Sequence, residues 1–200
     1  MYLFGASGHG KVVAEIAEAC GVEIEGFVDQ NSKINKIFDY KVIHELPRNK
    51  IIFLSIGNNA TRKRIKQENP EIQYLNIIHP SAMISSRAKI GEGTVVMAGV
   101  TINTEVKIGE QCIINTNASI DHECVIHSYV HISPNVALAG NVEVGEGTHI
   151  GIGASVLPNV KIGKWCVIGA GAVILKDVPD YAVMVGNPAK LKRFNEPSYF

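Results

Sequence analysis

From Ile84 to Ile174 an aliphatic residue stands at every sixth position without a slip: Ile84, Ile90, Val96, Ile102, Ile108, Ile114, and on through Leu138 to Ile174. Four residues after each comes a small or β-branched one, as at Ala88, Thr94, Val100 and Cys112. A helix spaces its apolar residues by three and four, so a strict six rules it out. Hexads carrying glycine, asparagine or aspartate beside the aliphatic position fit short strands separated by corners. The period therefore predicts a parallel β-helix over this half of the chain.

Residues 1–78 follow different rules. An apolar strand YLF leads into the loop GASGHG (Gly5 to Gly10), a helical run KVVAEIAEACG and a strand EIEGFVD that ends on Asp29. This is a β-loop-α-β unit of the dinucleotide-binding type, an α/β Rossmann-like domain. A strand over Ile51 to Gly57, then Asn58 and Asn59, and a helix from near Ala60 carrying Arg62, Lys63 and Arg64 complete it, with Asn76 to Pro80 as a hinge. The expected domains are 1–78, 79–178 for the β-helix and 179–200 for a C-terminal tail. The loop is GxxGxG rather than GxGxxG, which is weak evidence for any one ligand. Glycines at a helix N-terminus still leave free N–H groups and the helix dipole to attract phosphate, so a nucleotide or nucleotide-sugar is expected there, with a plain tight turn as the alternative.

Lysine plus arginine, 19, equals aspartate plus glutamate, 19, so the net charge is zero and gives no general attraction to nucleic acid or anionic membrane. No apolar run reaches the roughly 18–20 residues that cross a bilayer, and the N-terminus lacks a signal peptide's basic start, so no membrane insertion and a cytoplasmic location are expected. Cys20, Cys112, Cys124 and Cys166 form no CxxC pair.

The hexads resemble the left-handed β-helix of hexapeptide acyltransferases, which implies three hexads to a triangular coil and eighteen residues to a rung. Sorted by eighteen, the outward residues form three columns. Only Val95, Ile113, His131, His149 and Val167 make an apolar and imidazole column, which points to a subunit seam. In DHECVIHSYVHIS (Asp121 to Ser133), His122 sits at a corner and Gly140 lies eighteen residues on. Rungs stack about 4.8 Å apart, so the imidazole and the Gly140 N–H face one small volume, as a general base and an oxyanion donor require. Asp121 or Glu123 is placed to orient His122. His127, His79 and His44 read as surface histidines, and Cys124 as packing. A zinc site like that of hexapeptide-repeat carbonic anhydrases needs a third ligand, and the positions stacked on His122, Thr104 and Gly140, offer none.

GASGHGKVV, NTNASIDHECVI with HISPNVALAGNVEVG, and VMVGNPAKLKR together resemble the bacterial sugar O- and N-acyltransferases. These include UDP-4-amino-4,6-dideoxy-sugar N-acetyltransferases and sialic acid O-acetyltransferases. The resemblance implies that His122 is the general base and that Glu123 assists it. It implies acetyl-CoA as co-substrate, held by His131, Gly140, Ile152, Gly171, Gly186, Pro188 and Lys190. The nucleotide-sugar would contact Gly5, Ser7, Gly8, His9, Asp29, Gln30, Asn58, Arg62 and Asn115. It also implies a homotrimer and direct acetyl transfer to an amino sugar. O-acetylation of sialic acid is the alternative; a zinc enzyme and a non-catalytic trimeric scaffold rank behind.

Overall fold

The structure, a computed structural model, describes residues 1–196; the last four residues of the expected tail lie outside it. The N-terminal domain comprises β1 (Tyr2–Phe4), α1 (Gly8–Ala19), β2 (Gly26–Val28), β3 (Lys36–Ile37), β4 (Tyr40–Ile43), β5 (Ile52–Leu54) and α2 (Asn59–Glu68). Its sheet has the order β3-β4-β2-β1-β5, parallel except for the β3–β4 hairpin. Every residue of β2 and β5 is buried, as for a parallel sheet covered on both faces. The short hairpin is absent from the sequence reading, because two strands of two and four residues carry no periodicity.

The coil begins at β6 (Ile77–Ile78), which pairs in parallel with Val95–Val96. The residues expected as a hinge are thus already the first rung. From there two-residue strands stack into three parallel faces. The first holds Ile77–Ile78, Val95–Val96, Ile113–Ile114, His131–Ile132, His149–Ile150 and Val167–Ile168. The second runs from Met83–Ile84 through Ser119–Ile120 and Ala137–Leu138 to Val173–Ile174, and the third from Lys89–Ile90 through Val125–Ile126 to Lys161–Ile162. The aliphatic ladder fills the prism, with Ile102, Ile114, Ile120, Ile132 and Ile150 all at 1 % exposure or less. Burying each such side chain contributes about 1.5–3 kcal/mol.

Corners repeat with equal regularity. Gly93, Gly99, Glu105, Gln111, Asn117, Glu123, Tyr129, Asn135 and Asn141, and so on to Gly171, all have positive φ at six-residue spacing. Glycine and asparagine adopt that conformation at little cost, whereas Glu123 and Tyr129 are held there by the rungs on either side. Residues 179–196 cap the last coil with a hairpin, Ala182–Val185 against Lys190–Phe194, that extends the first face.

The apolar column does not make a subunit seam within this structure. Val95 and Ile113, at 0 % and 1 % exposure, share one core with Leu3, Val13, Ile16, Phe27 and Ile77, so the chain's own N-terminal domain covers the first face. The lower part of the column, Val95 and Ile113, is outward and dry, while His131 and Val167 are part-buried and His149 is exposed. A domain tethered directly to β6 has a high effective concentration there and occupies the face before a second chain can. At the corner between the third and first faces, α2 is clamped by charge: Lys66 pairs with Glu92 and Glu110, and Lys63 with Glu146.

Candidate active site

His122 stands at the corner between the second and third faces. The left-handed conformation of Glu123 (φ +60°) turns its carboxylate back on the preceding residue, and His122 Nδ1 lies 3.0 Å from Glu123 Oε2. Asp121 is occupied elsewhere. Its Oδ1 accepts the His122 backbone N–H at 2.8 Å and the Asn103 side-chain amide at 2.8 Å, and these bonds, the Asn103 amide foremost, hold its carboxyl below the usual range. Glu123 is therefore the carboxylate on the imidazole. With Nδ1–H donating to Glu123, Nε2 carries the free lone pair.

Gly140 lies one rung on and is buried under this ring. A Cβ at Gly140 would stand 2.5 Å from His122 Cε1 and 2.6 Å from Nε2, so the imidazole rests on the glycine backbone. The Gly140 N–H has no acceptor among the described residues. Burial raises the pKa of Cys124, whose Sγ donates to the Ala139 carbonyl at 3.2 Å, which leaves it a packing group. His127 pairs with Glu143 at 3.0 Å, and among the described residues no group of three His, Cys, Asp or Glu side chains is arranged to hold a metal ion.

The second constellation lies where the N-terminal domain meets the first face. Gly5 has φ +123° and packs against the Ser55 carbonyl, and a Cβ on Gly10 would collide with the Gly5 carbonyl, so both glycines serve close packing. Gly8 faces open space. Ser7 precedes α1 without a side-chain cap bond, so its side chain satisfies none of the first-turn N–H groups. Asp29 Oδ2 accepts Ala6 N and its Oδ1 accepts Asn31 N, both at 2.8 Å, while Gln30 is exposed beside it. Asn58 caps α2 by accepting from Thr61 N at 2.8 Å.

Three imidazoles gather here. His131 stacks on His149 at 4.7 Å and lies 6.5 Å from His9; Asn115 Nδ2 meets His131 Nε2 at 3.2 Å and Ser133 Oγ meets His149 Nε2 at 2.8 Å. Burial, and after it neighbouring positive groups, push His9 down to about 4 and His131 to about 2, and burial with Arg62 lowers His149. All three are neutral at pH 7.

Two site expectations change. Arg62 is 1 % exposed and spends its guanidinium on four carbonyls, those of Ile56, Gly57, Gln111 and Tyr129, at 3.0–3.1 Å, so it is enclosed rather than open to a ligand. His131 and Gly140 are not together within one chain. In a three-sided prism the corner bearing His122 and Gly140 is opposite the first face, which carries His131.

The remaining expected residues follow another edge. Ile152, half-exposed, and Gly171 meet at the corner between the first and second faces, Gly171 N donating to the Ile152 carbonyl at 2.8 Å. Above them Val173 N donates to the Gly186 carbonyl at 3.1 Å, and Pro188 and Lys190 are exposed beside it. Between this edge and His122 the second face shows only small outward residues, Ser119, Ala137 and Ser155 among them, which line a shallow 450 Å³ groove. From the sequence Gly10, Asn59 and Lys63 carry no assigned role and Lys66 is not singled out, yet Asn59 donates to the Gly147 carbonyl at 3.0 Å and both lysines pair with coil carboxylates. A signal for the lysines was present: Glu92, Glu110 and Glu146 fall at multiples of eighteen residues.

The "PglD N-terminal domain" family matches residues 1–68, and "Bacterial transferase hexapeptide (six repeats)" matches 141–176. UDP-N-acetylbacillosamine N-acetyltransferase of Bacillus subtilis (strain 168) is 37% identical over 108 residues, 48% of this chain and 50% of that enzyme, so the match spans about half the length of that curated relative. A mutant of perosamine N-acetyltransferase from Caulobacter crescentus, solved with CoA and GDP-perosamine, superposes with a TM-score of 0.92 at 37% identity over 96% of both chains. The acetyltransferase domain of PglB from Neisseria gonorrhoeae FA1090 gives 0.90 at 37% identity over 95% of this chain and 98% of that one. With the Rossmann-like domain, the left-handed β-helix and the capping hairpin matched end to end, the chain belongs to the hexapeptide-repeat sugar N-acetyltransferases.

Proposed function

We propose that the protein moves an acetyl group from acetyl-CoA directly to the amino group of a nucleotide-diphosphate-linked sugar, of the UDP-4-amino-4,6-dideoxy type. The observation that carries this reading is the His122 ring, held at Nδ1 by Glu123 and resting on Gly140, whose N–H meets no acceptor among the described residues. The amine nitrogen attacks the thioester carbonyl carbon. His122 Nε2 takes the amine proton, the Gly140 N–H stabilises the oxyanion, and the C–S bond breaks as CoA leaves and recovers the proton. Glu123 favours the imidazolium formed on the way.

The acceptor's diphosphate lies on the Gly5–His9 loop at the start of α1, with Asp29 and Gln30 toward the nucleoside. That crevice and His122 are on opposite sides of the coil, so a working site takes the loop and His131 from one copy and His122 with Gly140 from the next. The groove of small residues on the second face suits the close approach of a neighbour, and closed symmetry of such contacts yields the trimer. Ile152, Gly171, Gly186, Pro188 and Lys190 border the same groove and are the candidates to hold acetyl-CoA in it.

O-acetylation of sialic acid stands second, because the perosamine enzyme, matched over 96% of its length, is named an N-acetyltransferase. Release of free CoA thiol from acetyl-CoA, measured with UDP- and GDP-linked 4-amino sugars, sialic acid and no acceptor, separates the readings. Turnover with sialic acid alone would overturn the proposal.

A further inference from the structure

Arg62 is a buried guanidinium with no carboxylate partner among the described residues. The acids at the same corner are taken: Glu92 and Glu110 by Lys66, Glu146 by Lys63. Each of its guanidinium nitrogens donates to a carbonyl, yet its charge is not neutralised, and an unneutralised buried charge is costly unless something compensates it. Two of those carbonyls, of Ile56 and Gly57, belong to the loop that follows β5, and the other two, of Gln111 and Tyr129, to adjacent rungs of the coil. The arginine thus sits beneath the first turn of α2, beside the crevice where α1 also begins. Its field reaches the glycine loop and the imidazoles facing it, since Arg62 helps depress His9, His131 and His149.

We propose that Arg62 is the counter-charge for the acceptor's diphosphate, acting through the loop it holds without touching the ligand. The inference rests on the acceptor site proposed above. It makes Arg62 a positioning residue that selects acceptors by charge, so that a diphosphate-linked sugar is preferred over the free sugar.

Calorimetric titration of UDP and NMR titration of uridine into the trimer test this with the wild type, Arg62→Met and Arg62→Lys. Arg62→Met should lose UDP affinity on the order of ten-fold while uridine affinity holds. Arg62→Lys, which keeps the charge and loses most of the hydrogen bonds, should retain most of the UDP preference. Equal losses for UDP and uridine, or UDP binding unchanged in Arg62→Met, would overturn the proposal. The wild type provides a check independent of any variant's folding: a buried charge is little screened, so the UDP-over-uridine preference should persist in 0.5 M salt. Collapse of that preference assigns it to exposed lysines and overturns the role of Arg62. A wild type that binds neither UDP nor GDP would sink the acceptor site itself.

Discussion

At the residue scale, Gly140 gives the sharpest test, because its lack of a Cβ is what seats His122. The methyl of Gly140→Ala would meet a half-exposed imidazole that can swing aside, so the fold should survive and the ring should lose its place. Turnover should then fall as far as in His122→Ala, on the order of 10²–10⁴. Steady-state kinetics with a thermal melt decide it: a folded Gly140→Ala enzyme at wild-type rate would remove His122 from the chemistry. Gly8→Val is an equally clean probe of the glycine loop, since a Cβ there meets nothing within 4 Å. It should raise the acceptor KM and leave that for acetyl-CoA alone, and unchanged UDP binding would make the loop a plain turn. Pairing of His122 with a carboxylate was legible from DHEC; which carboxylate was not. That depended on the positive φ of Glu123, set by the corner geometry.

At the element scale, the seat of α1 and β6 on the first face explains why the apolar column exists. Ile113→Lys would place a charge in the core shared by both domains, at a cost of several kcal/mol. The expected outcome is loosening of the N-terminal domain, seen as faster proteolysis between residues 68 and 77 and lost UDP binding. The aliphatic interior of the coil is untouched, so gel filtration should show the assembly unchanged. Monomers with a firmly docked N-terminal domain would restore the column as a subunit seam. The imidazoles in the same interface add a pH dependence. Their folded pKa values lie below the unfolded value of about 6.5, so the unfolded chain binds more protons at acid pH. Their contribution to stability is full above about 6.5 and declines as pH falls toward about 4 for His9 and about 2 for His131. Melting temperature should therefore drop between pH 7 and 5, and less so in His9→Gln; a flat profile would contradict the neutral cluster.

For the whole molecule, the loop and His122 lie on opposite sides of one prism, so the proposed site is completed only between copies of the chain. Ala137→Glu, on the groove of small residues, should block close approach of a neighbour and abolish transfer, while UDP still binds the separate chain. Light scattering and turnover on one sample check this, and an active monomer would show that a single chain completes its own site.

The sequence alone determined the parallel coil, its inward ladder, the glycine loop at a helix start and the His122–Gly140 pairing one rung apart. Each follows from a local period or from stacking at a constant eighteen residues, which short-range sterics and backbone hydrogen bonding enforce. Only the tertiary structure decided what covers the first face and that Arg62 is enclosed. Those outcomes depend on where a second domain docks, and docking is chosen by complementary surfaces and tether length that no periodicity in the chain records.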